Sequence, residues 1–445
     1  MTSLRFTRRL IVRMAICSSI TAGLVACGGG GGDAAPPLDT HAPAAWADIA
    51  TTAVAQHAAL QAPAPGLSPM EESRIYAMAF AASHDALNAI SHRYAPYLTA
   101  ADMPTAQPDA AVAAAVHDVL KASIASQASY LDAQYAQALA AVTDGDAKAA
   151  GVALGQQMAR AILANRAADG ATTAQGPYAA PLTAGVYQPT PPINAAAFVH
   201  WDRVKPFAIS SAAQFRPAAP YAVTDAAYTA DFNEVKALGG STSTVRTAEQ
   251  SQIATFWLEN TPASMAKVAL KIAAAQGRNG WDTARALALI EIGQADAYVA
   301  VFDSKYHYAF WRPITAIRAA DTDGNPDTAG DATWTPFDPV TPPIPDYASG
   351  HAASAGAGEE VLKALFGGDA VSFTYASTSL AGVTRSYTSF SQMAQEICDS
   401  RVYVGYHFRL ATTAGRTLGR AVGQYSVAHV LRPVPAAGVR LERPL

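Results

Sequence analysis

From Trp46 to about Arg166 the apolar positions recur at intervals of three and four. In "EESRIYAMAFAASHDALNAISHRYAPYL" they fall at Ile75, Met78, Ala79, Ala82, Leu87 and Ile90, the stripe of an amphipathic helix. "AAVAAAVHDVLKASI" and "QASYLDAQYAQALAAV" repeat the pattern. "DGDAKAAGVALGQQMARAILANRAADG" predicts another helix, opened by Asp144 or Asp146 and closed near Gly170. The periodicity stops over 171–224, where Pro, Gly, Ala and aromatic residues dominate. A segment this long and irregular predicts a surface excursion packed over a cleft. Helical spacing returns in "DAAYTADFNEVKALGG", "RTAEQSQIATFWLEN", "ASMAKVALKIAAAQG" and "WDTARALALIEIGQADAYVAVFDSKYHYAFW". A proline-rich turn at 336–345 leads into "SGHAASAGAGEEVLKALFGG", and two last helices are predicted over Ser386–Arg401 and about Phe408–Leu431. Helices and turns without strand-like runs imply an all-α fold of helical-bundle type with long irregular loops.

The N-terminus breaks this picture. Arg5, Arg8, Arg9 and Arg13 precede an apolar run that ends in "LVAC", Leu24–Cys27. A basic start, a short apolar core and small residues before a cut read as a secretory signal over 1–26, too short for a membrane span. The ending resembles a bacterial lipobox, which implies lipidation at Cys27 and a lipid-anchored, periplasm-facing place in the bacterial cell envelope. Residues 27–45, Gly-, Ala- and Pro-rich, read as a flexible linker. A single catalytic domain is expected over 46–445, with its site within 300–410. No intrachain disulfide is expected, because Cys398 alone remains after Cys17 leaves with the signal and Cys27 is acylated.

Half of the 445 residues are hydrophobic and 15% are charged, enough for a large core. The formal charge is −4. Removal of 1–26 takes four arginines and no acid, leaving 27 basic against 35 acidic groups and a net charge of −8. Without a basic run, nucleic acid is excluded as an expected partner. An anion site must then be a local concentration of cations.

Three segments supply one. "KYHYAFWRP" places Lys305 and Arg312 seven apart, which on a continuous helix would share a face; Pro313 instead puts Arg312 at a helix end. "SGH", Ser349-Gly350-His351, offers small residues and a helix N-terminus to a ligand. "SRVYVGYHFR" carries Arg401 and His407 around Gly405, the pattern of a helix end, a turn and a new helix. One ammonium, two guanidiniums, a hydroxyl, a glycine amide and two imidazoles suit an oxyanion with several charged oxygens. One imidazole can bond the central atom while the other moves a proton. Singly, each has an ordinary structural explanation; together they support one another.

The order Lys-x6-Arg-Pro, Ser-Gly-His, Ser-Arg-x5-His resembles the vanadium-dependent haloperoxidases and type-2 phosphatidic acid phosphatases. "KYHYAFWRPITAIR", "AMAFAASHDALNAISHRYAPYL", "FRPAAPYA", "YTADFNEVKALG" and "TPPIPDYASGH" look like the soluble bacterial haloperoxidase branch, a likeness covering most of 70–430. The resemblance implies that Lys305, Arg312, Ser349, Gly350 and Arg401 bind vanadate or phosphate. It implies that His351 is the acid–base group and that His407 bonds vanadium. The implied activity is oxidation of halide by hydrogen peroxide to hypohalous acid with vanadate as cofactor, Lys305 assisting catalysis by its charge. The alternative is an acid phosphatase acting on a small phosphoester through a phosphohistidine at His407, without vanadate. A second alternative is a non-catalytic phosphate-binding envelope lipoprotein. Phe302 stands where the family often has Trp, Ile344 replaces an aromatic and Ala348 a proline. Ala411 stands where an acid often follows the second histidine, so the group that orients His407 is left unnamed.

Overall fold

The computed structural model describes residues 39–62 and 66–434. The signal, Cys27 and most of the linker expected from the sequence lie outside these residues. Thirteen α-helices carry the described fold: α1 Ala42–Gln61, α2 Pro69–Ile90, α3 Pro108–Ser123, α4 Ala128–Ala140, α5 Asp146–Arg166, α6 Ala226–Gly239, α7 Ala248–Phe256, α8 Thr261–Ala275, α9 Gly280–Tyr308, α10 Pro313–Ala319, α11 Gly350–Phe366, α12 Phe390–Tyr403 and α13 Arg409–His429. The all-α expectation holds. Among the described residues no helix is long and apolar enough to cross a membrane.

Three local differences have physical causes. Helix α1 starts at Ala42, inside the segment expected to be linker, and Asp39 just before it accepts a hydrogen bond from the Gly280 amide at 2.8 Å. A short antiparallel hairpin, β1 Phe373–Ala376 and β2 Thr384–Tyr387, lies between α11 and α12. Four-residue strands carry too little alternation to read from sequence. The hairpin also consumes the expected start of α12, which begins instead where the Ser389 side chain caps the Gln392 amide at 3.0 Å.

Helix α9 is the axis. Its residues are buried nearly along its whole length, and it packs against α2, α11, α13 and α8. An all-round buried helix needs apolar or small residues on every face, which "ALALIEIGQADAYVAVF" provides. Helices α11 and α13 approach closely through small residues. A Cβ added at Gly419 would lie 1.9 Å from the Ala353 carbonyl oxygen, and one at Gly415 would lie 2.4 Å from that of Ser349. Backbone contact therefore fixes the N-terminus of α11 against α13. The irregular 171–224 segment wraps over the bundle, as expected, and sends Ile193, Ala197 and Phe198 to a cavity.

Candidate active site: a buried cationic cavity

A cavity of about 600 Å3 opens among the ends of α9, α11 and α12 and the turn before α13. Lys305, Arg312, Gly350, His351, Arg401 and His407 all line it. Ser349, fully buried, adjoins Gly350 at the N-cap of α11. The seven expected site residues are thus brought together from three distant pieces of chain.

Each piece is placed by a local break. Lys305 sits in the last turn of α9, which ends at Ala309 in the left-handed region, φ 45°. Arg312 then N-caps α10 with extended backbone, as Pro313 requires. The two cations therefore meet through a chain reversal and not along one helix face. At the other end, α12 stops at Tyr403 and Gly405 turns with φ 85°. A Cβ there would lie 2.4 Å from the Gly239 carbonyl oxygen, so glycine is needed for space as well as for φ. That turn swings His407 back toward Arg401.

The cations are held by backbone oxygens and, at Arg401, also by a serine hydroxyl. Lys305 Nζ donates to the carbonyls of Pro345 at 2.6 Å and Asp346 at 3.1 Å, leaving one of its three hydrogens. Arg312 Nε donates to Ile344 O and Nη1 to Tyr406 O, both at 2.8 Å. Arg401 Nε donates to Ser400 Oγ at 3.0 Å and Nη2 to the Trp257 carbonyl. Arg312 Nη2 and Arg401 Nη1 keep no protein partner among the described residues. Ser349 Oγ is buried and equally unpartnered, although its amide donates to Ala411 O at 2.9 Å. A buried polar atom normally finds a partner. Donors left over on two guanidiniums, an ammonium and a hydroxyl around one cavity are what a tetrahedral oxyanion would satisfy, so the residues fit vanadate or phosphate.

Electrostatics sharpen the picture. Burial, then Arg312, push the Lys305 ammonium well below the usual lysine range. Burial, then neighbouring cations, push both His351 and His407 well below the usual imidazole range, so both rings are neutral near pH 7. His351 Nε2 lies 3.3 Å from the Glu259 carbonyl oxygen. Donating there leaves its other nitrogen as an acceptor. Arg312 Nη1 lies 3.1 Å from His407 Nε2.

The residue that the sequence did not give up is Asp346. It is fully buried, and its Oδ1 lies 2.8 Å from His407 Nδ1, although the ring N–H is not aimed squarely at it. Arg312 Nη1 lies 3.9 Å away. Burial pushes the carboxyl up to about 7 against the pull of Arg312 and Lys305. The acid beside His407 thus comes from upstream of Ser-Gly-His instead of from the Ala411 position. The only available signal was an acid in the otherwise apolar "PPIPDYASGH". His307, by contrast, is exposed and lies outside the cavity.

The fold is an all-α bundle whose cavity gathers Lys305, two guanidiniums and two neutral imidazoles. Comparison with known proteins narrows the class. The VCPO second helical-bundle domain matches residues 285–435. Over 99 residues the chain is 33% identical to vanadium chloroperoxidase of Curvularia inaequalis, a match to 20% of this chain and 16% of that protein. The crystal structure of the first bacterial vanadium-dependent iodoperoxidase superposes with a TM-score of 0.77 at 26% identity, over 89% of this chain and 97% of that one. A holo-type bacterial vanadium-dependent chloroperoxidase shares the fold at TM-score 0.65 and 17% identity, over 81% of this chain and 92% of that one. Residues 285–435 thus match the second helical-bundle domain of the vanadium chloroperoxidases, and the described fold is that of the bacterial vanadium-dependent haloperoxidases.

Proposed function

We propose that this protein is a vanadate-dependent haloperoxidase that oxidises halide with hydrogen peroxide to hypohalous acid. The observation that carries the reading is the convergence of Lys305, Arg312, Gly350, His351, Arg401 and His407 on one cavity. Lys305, Arg312, Arg401, Ser349 and the Gly350 amide would hold vanadate, and His407 Nε2 would bond it. Bound vanadate supplies a Lewis-acidic centre that activates peroxide without a change of oxidation state. His407 serves this role because burial keeps its imidazole neutral while Asp346 takes the Nδ1 side. His351, also neutral, would serve as the group that takes up a proton from peroxide and gives one back. The fixed cations stabilise negative charge with little reorganisation, since backbone carbonyls already hold them.

The same cavity supports phosphomonoester hydrolysis as a second reading. A neutral His407 backed by a carboxylate is a competent nucleophile toward phosphorus, with His351 protonating the leaving oxygen. A paired assay separates the two. Vanadate-loaded protein is given peroxide, halide and a halogen-accepting dye, and metal-free protein is given p-nitrophenyl phosphate with and without vanadate. Dye halogenation supports the peroxidase. Vanadate-inhibited phosphate release without halogenation supports the phosphatase. Vanadate uptake with activity in neither arm means a binding protein.

We also propose an exported protein anchored in the bacterial envelope by lipid on Cys27. Cys27→Ser would release it from the detergent phase into the aqueous phase on Triton X-114 partition; retention in detergent would reject the anchor.

A further inference from the structure

An oxyanion of five heavy atoms fills on the order of 100–150 Å3 at liquid-like spacing. The cavity holds about 600 Å3, the size of sites that take an organic molecule of drug dimensions. Away from the cationic end its wall is apolar. Phe302, one turn before Lys305 on α9, is buried and meets Phe198 edge to face at 6.1 Å. Ile193 and Ile344 extend this wall. The loop that carries Phe198 is pinned in place: the Ala197 amide donates to Pro343 O at 2.9 Å, and the Tyr306 hydroxyl donates to Ala197 O. Phe198 itself adopts φ 57°, a conformation costly for a phenylalanine and maintained by this packing. Two carboxylates also line the cavity among the described residues: Asp338, which interacts with Arg401, and Glu71, whose Oε2 accepts from the Ser68 amide at 2.9 Å.

We propose that this cavity is a built acceptor site for a neutral, largely apolar organic molecule with an electron-rich ring, so that the oxidised halogen is transferred inside the protein. The proposal rests on the haloperoxidase reading and specifies its substrate. Peroxide, halide and one proton give hypohalous acid and water. The ring carbon then forms its bond to halogen as the O–X bond breaks; the ring loses its proton, which leaves with hydroxide as water. The apolar wall supplies the binding surface, and the two carboxylates disfavour anionic rings.

The test uses full-length, vanadate-loaded protein with 2-naphthol, peroxide and whichever halide it oxidises. Taurine is added at a level that cuts halogenation of naphthol by reagent hypohalite at least 10-fold. The enzymatic product is expected to fall less than 2-fold; a fall equal to that of the reagent would overturn the proposal. Naphthol binding, followed by its fluorescence without peroxide or halide, needs no turnover. It should weaken at least 10-fold in Ile193→Glu and in Phe198→Glu, with vanadate affinity retained as the check on folding. Unchanged binding in both, or no saturable binding to the wild type, overturns it. Absence of any halide oxidation alongside saturable, wall-dependent binding would sink the peroxidase reading and leave the organic site standing.

Discussion

Two buried charged regions sit on neighbouring stretches of α9 and respond to burial in opposite ways. At the C-terminal end Lys305 joins Arg312 and Arg401, with the Asp346 carboxyl 3.9 Å from Arg312. Three turns and more toward the N-terminus, Glu291 on α9 is fully buried beside Glu72 of α2, and neither Glu291 oxygen has a partner among the described residues. The carboxyls escape by keeping their protons: burial pushes Glu72 up to about 7 and Glu291 well above its usual range. Guanidiniums have no such escape, since even a lowered arginine stays charged near pH 7. The carboxyl region sheds charge by holding protons, Glu291 above all. The other keeps its guanidinium charge, which a bound anion would offset. The difference separates a structural burial of charge from a functional one better than burial alone does.

The largest effect expected from this contrast is at His407. His407→Ala should bring halide oxidation and phosphate-ester cleavage to background, measured in the paired assay; activity within 10-fold of wild type would remove His407 from its assigned role. His351→Ala should cost about 10²–10⁴-fold in turnover while vanadate still binds. Arg401→Ala should weaken vanadate binding by roughly 10²-fold or more, the scale of breaking a buried charge interaction at about 3–5 kcal/mol. Equilibrium dialysis reads this directly. Saturating vanadate or phosphate, at about 100 times its dissociation constant, should stabilise the wild type by about 2.7 kcal/mol and raise its melting temperature. An unchanged melting temperature would mean that the cations are already satisfied.

Asp346→Asn sharpens the comparison, because this carboxyl belongs to the cationic side. Its loss should reduce vanadate affinity by about 10–100-fold. In the wild type, activity should rise with pH through about 7, as Asp346 ionises and takes up the His407 Nδ1–H. The variant should lose that limb. The smallest effect belongs to the carboxyl side. Folded Glu291 keeps a proton that the unfolded chain releases above about 4.5, so its contribution to stability, full at acid pH, declines as pH rises. Glu291→Gln should therefore leave the melting temperature near that of wild type at pH 4 and raise it by about 2–5 °C at pH 8. A decrease at pH 8 would show that the carboxylate is partnered.

The cations and histidines were legible because short motifs carried them, and the breaks at Pro313 and Gly405 were legible because both residues impose backbone geometry. Helix existence followed from periodicity. Asp346 was not legible as the partner of His407: 61 positions separate them, and their meeting depends on how α11 docks on the turn before α13. The apolar wall was half legible. The sequence pointed to a cleft under 171–224, but not to Phe198 as the ring that closes it on Phe302. The hairpin at 373–387 stayed hidden because its strands are too short to show alternation.

The seam between α11 and α13 has one more consequence. Gly415, Gly419 and Gly423 bring α13 onto the carbonyls of Ser349, Ala353 and Ala357, where a single methyl group would collide. Side-chain redesign there has no slack to use, so tolerance to change is divided unevenly around the cavity. The loop wall meets the cavity through side chains, whereas the helix seam is closed by backbone contact. Directed evolution toward a new acceptor should accumulate its changes around 193–198 and 342–344 and leave the glycine ladder alone.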